Sequence, residues 1–207
     1  MNKILVLLLV ILLLMATMIA TVCLVLTNTE FSIDEIFDFS FENDDSSDND
    51  DEIVFEKAEK YSEFIEEYAV KYDVPVALLY AVIECESGFR ENAKSSVGAC
   101  GLMQLMPETY SDIRQWKGFD YTDDQITEPQ VNIECGTYYL SRLYKMFGDW
   151  ELVIAAYNAG PGNVQSWLKN DEYSDDGKLV YIPFSETSAH VEKVVKAWNK
   201  YEKHLKG

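Results

Sequence analysis

The sequence predicts a mainly α-helical domain over residues 57–207, carried behind an apolar N-terminal segment and an acidic tether. Three observations predict it. Apolar residues from Tyr61 onward recur at spacings of three and four, the period of one helix face. Alternating β-branched runs, the mark of half-buried strands, are scarce over the same stretch. Pro and Gly stand where helices would begin and end, at Pro75, Gly88, Pro107, Pro129 and Gly160.

Taken in order, Ile4 to Leu26 is an apolar run broken only by Thr17 and Thr21, with Lys3 before it and Glu30, Asp34 and Glu35 after it. About 20 apolar residues cross a bilayer, whereas a cleaved signal has a core of about 7–15. Residues 1–29 therefore read as a signal anchor with a transmembrane helix over 4–26. Lys3 on the short side, with no further basic residue until Lys57, keeps the N-terminus in the cytoplasm and places the rest outside the cell membrane as a single-pass protein. Two alternatives are cleavage near Ala20 and a lipid on Cys23. Val22 is bulkier than the residue that usually precedes a lipidated cysteine.

Residues 30–56 hold twelve acidic side chains and no basic one, around the low-complexity stretch "ENDDSSDNDDE". Such a run repels itself and buries no surface, so it reads as an extended tether. It lacks the Gly and terminal Glu of a calcium loop, and no metal or cofactor is expected. The remainder, 57–207, carries 16 basic against 24 acidic residues. That balance argues against nucleic acid, which needs a basic footprint.

The helical pattern begins with Tyr61, Phe64, Ile65 and Tyr68, resumes with Ile133, Leu140, Leu143 and Phe147 on a helix starting near Pro129, and closes with Val191, Val194, Val195, Trp198, Tyr201 and Leu205. Short non-helical stretches are expected at 92–101, 117–129 and 170–184. Between these lies "VALLYAVIECES", a helix opened by Pro75 and stopped by Gly88. Val76, Leu79, Ile83 and Glu86 share one face of it, while Glu84 points nearly the opposite way as a solvated charge. Glu86 thus sits on the apolar side in the last turn, where burial and the negative end of the helix dipole both disfavour ionisation. A carboxylic acid still protonated near neutrality can donate a proton to a leaving oxygen. Taken alone, the fragment reads more simply as a helix end whose acid reaches solvent.

Two further fragments change the balance. "GACGLMQLMPETY" at 98–110 joins flexible Gly, a Gln and two Met to a new helix at Pro107. "AAYNAGPGNV" at 155–164 ends a helix on Tyr157 and Asn158 before a Gly-Pro-Gly turn. With "ESGF" at 86–89, "GLMQLMP" at 101–107, "AYNAGPG" at 156–162 and "IPFSET" at 182–187, all in family order, the chain resembles the lytic transglycosylases with a soluble-lytic-transglycosylase catalytic domain, related in fold to goose-type lysozyme. The resemblance spans roughly 61–205. It implies a lysozyme-like helical fold, with Glu86 as catalytic acid and Tyr157 beside it. It also implies a sugar cleft lined by Ser95, Gln104, Met106, Asn158 and Glu186. The implied substrate is the glycan strand of peptidoglycan, cut between N-acetylmuramic acid and N-acetylglucosamine with closure of a 1,6-anhydro ring.

The chain departs from that pattern in two places. Where relatives commonly continue Glu-Thr-Arg-x-Tyr, this one reads "ETSAH", with Ser188 and His190. Cys85, Cys100 and Cys135 stand where no family cysteine is expected; outside the membrane a disulfide including Cys85 or Cys100 is expected among them, against three buried free thiols. Two other functions compete with this one. A muramidase on the same fold would release reducing ends. A non-catalytic scaffold for a wall-spanning machine would need an unreactive Glu86, although an active enzyme could also be recruited to such a machine.

Overall fold

The computed structural model describes residues 54–206. The anchor at 4–26 lies outside the described residues, as does the tether save for its last three positions. Those three open a short helical stretch, 54–59, whose Val54 and Phe55 pack on the core. The Phe55 ring stands edge-on to Tyr201 and stacks on His204 at 3.7 Å between centroids. The packed domain therefore begins slightly before residue 57.

Helices dominate the rest of the domain: α1 (Ser62–Tyr72), α2 (Val76–Ser87), α3 (Pro107–Lys117), a 3₁₀ turn (Asp123–Thr127), α4 (Pro129–Phe147), α5 (Trp150–Ala159), α6 (Pro161–Trp167) and α7 (Ser185–His204). Three of them open on a proline in the first turn, where its missing N–H costs nothing. Glycine in the left-handed conformation closes α2 at Gly88, α3 at Gly118 and α4 at Gly148. Among the described residues, no helix is long and apolar enough to cross a membrane.

Helix α2 is the centre of the domain. Ala77 through Ile83 are all buried, so the helix has no solvent face along these two turns. It packs chiefly against α7, which also covers α5. Leu78, Leu79 and Ile83 are fully enclosed, each contributing on the order of 1.5–3 kcal/mol relative to exposure. This corrects the expectation of a solvated Glu84: its carboxylate is turned towards α7, with Lys200 Nζ 3.0 Å from both oxygens.

The stretch expected to be irregular at 170–184 contains a hairpin, β1 (Ser174–Asp175) paired antiparallel with β2 (Lys178–Leu179). Asp176 and Gly177 both have positive φ, the conformation that a two-residue hairpin turn of the Asp-Gly type requires. The "Asp-Gly" pair in the sequence is the signal that could have found it.

The expected disulfide is absent. All three described cysteines are free. Cys135 is fully buried in a small cluster with Leu105, Tyr110, Ile113 and Val131, while Cys85 packs against the larger core around α2. The thiol of Cys100 donates to the carbonyl of Gly98 within its own loop. The three sulfurs are thus held in different surroundings.

Candidate functional site

The end of α2 and the segment after it form an open cavity of about 770 Å³. Glu86, Phe89, Arg90, Glu91, Ser95 and Gln104 contribute to its lining. Gly88 stops the helix, and Phe89 comes next in the same left-handed region (φ 61°), buried with its ring parallel to Tyr61. Two successive left-handed residues turn the chain sharply away and leave the last helical turn facing the cavity.

Glu86 is 15% exposed at its side chain. Burial pushes its carboxyl up to about 7, against a smaller opposite pull from the Lys193 ammonium. A carboxyl in that range carries a proton at neutral pH in a large fraction of molecules and can release it. Tyr157, from α5, is driven well above the usual phenol range, first by burial and then by Glu86. Its hydroxyl donates to the carbonyl of Met103 at 2.8 Å, rather than to Glu86.

The other side wall is the "GLMQ" loop. Cys100 bridges Lys94 on one side and Leu105 on the other, making a tight double-backed segment. Gln104 adopts φ 48°, and its side-chain Nε2 donates to the carbonyls of Gly101 at 2.8 Å and Ala93 at 3.2 Å. Ser95 Oγ accepts from Ala99 N at 2.9 Å, which closes the 95–99 turn. Ser95 and Gln104 therefore line the cavity while also bracing their own loop. Met106 precedes α3 in extended conformation and is not part of this cavity lining.

Asn158 and Glu186 belong to a second cavity of about 540 Å³, shared with Phe184, Ser185 and Thr187. Asn158 Oδ1 accepts from Thr187 Oγ1 at 2.7 Å, which ties the end of α5 to the first turn of α7. The structure thus gathers Glu86, Ser95 and Gln104 around one cavity, places Asn158 and Glu186 around another, and sets Tyr157 behind the loop that carries Met103.

Two residues of the site carry no signal in the sequence, and a third carries only a weak one. Asn132, on α4 and fully buried, accepts from Met103 N at 2.7 Å and donates to Cys100 O at 3.1 Å and Ile126 O at 2.6 Å. It holds the loop from beneath, and nothing in its flanking residues announces that role. Glu91 is a second carboxylate in the Glu86 cavity, held ionised by Lys60 Nζ at 2.7 Å and Tyr61 OH at 2.8 Å. His190 appeared only as a departure from a motif, yet its Nε2 lies 3.4 Å from Glu86 Oε1. Among the described residues, no group of acids, histidines and cysteines is arranged to hold a metal.

Comparison with known proteins bears on the fold and the family. The soluble lytic murein transglycosylase of Salmonella typhimurium is 38% identical over 152 residues, covering 71% of this chain and 23% of that protein. Membrane-bound lytic murein transglycosylase C of Actinobacillus pleuropneumoniae is 31% identical over 169 residues, covering 70% of this chain and 46% of that protein. The crystal structure of the 70 kDa soluble lytic transglycosylase of Escherichia coli superposes with a TM-score of 0.63 at 34% identity, over 71% of this chain and 24% of that one. The chain spans about a quarter of the length of the soluble relatives, and the shared part is the lysozyme-like helical fold. A family model described as the transglycosylase SLT domain matches residues 63–180, more than half of the sequence, and the chain accordingly belongs to that family.

Proposed function

We propose that this protein is a membrane-anchored lytic transglycosylase that cleaves the β-1,4 bond between N-acetylmuramic acid and N-acetylglucosamine in peptidoglycan. The observation that carries the reading is Glu86: a carboxyl raised to about 7 by burial, on the wall of an open cavity, in the motif whose resemblance implies the catalytic acid. In this reading Glu86 passes its proton to the glycosidic oxygen as the bond to the muramyl anomeric carbon breaks and positive charge develops on that carbon. The Glu86 carboxylate then removes the proton from the muramyl 6-hydroxyl, whose oxygen bonds to the anomeric carbon. A 1,6-anhydro ring results, no water is consumed, and Glu86 regains its proton. Ser95, Gln104, Asn158, Glu186 and Met106 are assigned to the sugar cleft, and Tyr157 to the catalytic group. The anchor at 4–26 and tether at 30–56 would hold the domain outside the cell membrane, facing the wall.

Glu91 favours a second reading. A hydrolase needs a base for water, and glycosidases place two carboxyl groups about 5–9.5 Å apart. Glu91 shares the cavity, but one of its oxygens already accepts from both Lys60 and Tyr61. Mass spectrometry of the soluble products from purified peptidoglycan decides between the two. Anhydro-ended muropeptides from the full chain, lost at least a hundredfold in Glu86→Gln, are expected. Reducing ends would establish a muramidase. Turnover by Glu86→Gln near that of the parent would overturn both readings.

A further inference from the structure

We propose that His190 is a positioning residue for Glu86, its neutral imidazole presenting Nε2–H to Glu86 Oε1 and holding the carboxylate during the half of the cycle in which its proton has been given away. The inference rests on the reading of Glu86 as the proton donor. Its first support is placement. Thr187, His190 and Lys193 succeed one another at intervals of three along α7 and so share a face. Each reaches a different part of the site. Thr187 donates to Asn158 at 2.7 Å, His190 approaches Glu86 at 3.4 Å, and Lys193 Nζ donates to the carbonyl of Cys85 at 3.2 Å, in the last turn of α2. The stripe holds the ends of two helices, and the imidazole is its middle member.

The second support is what this particular side chain can do there. At 3.4 Å the contact is longer than an ordinary N–H···O bond, so the imidazole stands beside the carboxyl without a formed hydrogen bond to it. When the proton leaves, the oxygen becomes a charged acceptor, and bonds to charged acceptors are shorter and roughly twice as strong. The donor is therefore matched to the state of Glu86 that needs one. A cationic imidazole would instead hold Glu86 ionised throughout and leave it without a proton to give. His190 is 13% exposed at its side chain, and burial, helped by Lys193, pushes it down to about 4. It is thus neutral wherever Glu86 titrates.

The other groups near the pair have partners of their own. The Tyr157 hydroxyl is committed to Met103 O, and Lys193 has a backbone partner in Cys85 O. Glu84 faces Lys200, Arg90 Nε donates to Ser87 O, and Lys60 is paired with Glu91. Cys85, pushed up to about 11 by burial, stays a neutral thiol.

The test uses the full chain and reads Glu86 directly, by the pH titration of its carboxyl carbon resonance, alongside the pH profile of muropeptide release. His190→Phe removes the donor and keeps an aromatic ring. It should raise both the Glu86 titration and the alkaline limb of kcat/KM by about one pH unit, with kcat down about tenfold and KM little changed. His190→Gln, which returns an N–H donor, should bring the titration back towards that of the parent. In the unsubstituted chain the His190 Nε2 resonance should move as Glu86 titrates. A folded His190→Phe whose Glu86 titrates where the parent does, or an Nε2 resonance indifferent to Glu86, would overturn the proposal. A parent chain that releases no product would sink the transglycosylase reading alone, because the carboxyl titration decides His190 without turnover.

Discussion

Two buried glutamates in this domain are pushed in opposite directions, and the difference lies in their partners. Glu134 is 3% exposed, yet it accepts from Lys71 at 2.6 Å, Tyr72 at 2.7 Å and the Tyr121 hydroxyl. Burial alone would raise its pKa; these bonds hold it below the ordinary carboxylate range. Glu86 has no such set of donors, so burial wins and the group rises from 4.5 to about 7. That rise sets the sign of its effect on stability. Below pH 4.5 both folded and unfolded chains hold the proton; between 4.5 and about 7 the folded chain binds more of it, so stability falls as pH rises through that window. Glu86→Gln removes this titration. In urea unfolding the variant should therefore gain on the parent between pH 4.5 and about pH 8, by up to ~3 kcal/mol. A difference that is the same at both pH values would show that Glu86 titrates at its ordinary pH.

Helix α2 and the loop opposite it are set by contacts that a helical wheel does not show. Gly101 has φ 81°, and an added Cβ would come within 2.7 Å of Asn132 Cγ, the side chain that satisfies two backbone groups of the loop and the carbonyl of Ile126 in the 3₁₀ turn. Gly98 has φ 96°, yet a Cβ there would meet nothing within 4 Å. Both Ala substitutions incur the backbone penalty of a left-handed residue, on the order of 1–2 kcal/mol. Gly101→Ala must also displace a buried, fully bonded amide, so it should lose roughly 2 kcal/mol more than Gly98→Ala by chemical denaturation. Equal losses would mean that Asn132 yields freely. The helices that carry these loops were legible from spacing: the apolar sets at 61–68, 133–147 and 191–205 fall on α1, α4 and α7 and their flanks, although Leu205, just past the end of α7, is exposed. The hairpin was not, because two residues per strand leave no run long enough to show alternation.

At the scale of the whole molecule, the formal charge of −19 is concentrated in the short acidic segment ahead of the domain. The proposed anchor at 4–26 and tether at 30–56 make a prediction at this scale. The full chain should then sediment with membranes, resist extraction by salt and alkali, and expose residues 57–207 to protease added from outside the cell membrane. Recovery of a chain shortened near Ala20 in the medium would identify the segment as a cleaved signal.

The sequence by itself determined the helical class, the helix boundaries set by Pro and Gly, and the family, and it singled out Glu86 as the candidate acid, because period, punctuation and motif order can be read along the chain. The tertiary structure decided what surrounds each polar group. Helix α2 reads as one-sided but is buried all round, so Glu84 meets Lys200 from α7 instead of water. Gln104 and Ser95 brace the loop they line, Asn132 supports it from a helix about thirty positions away in the sequence, and His190 reaches Glu86 from the other end of the domain. These are long-range pairings between groups whose chemistry depends on burial and partners, and neither quantity is encoded in any short window of the chain.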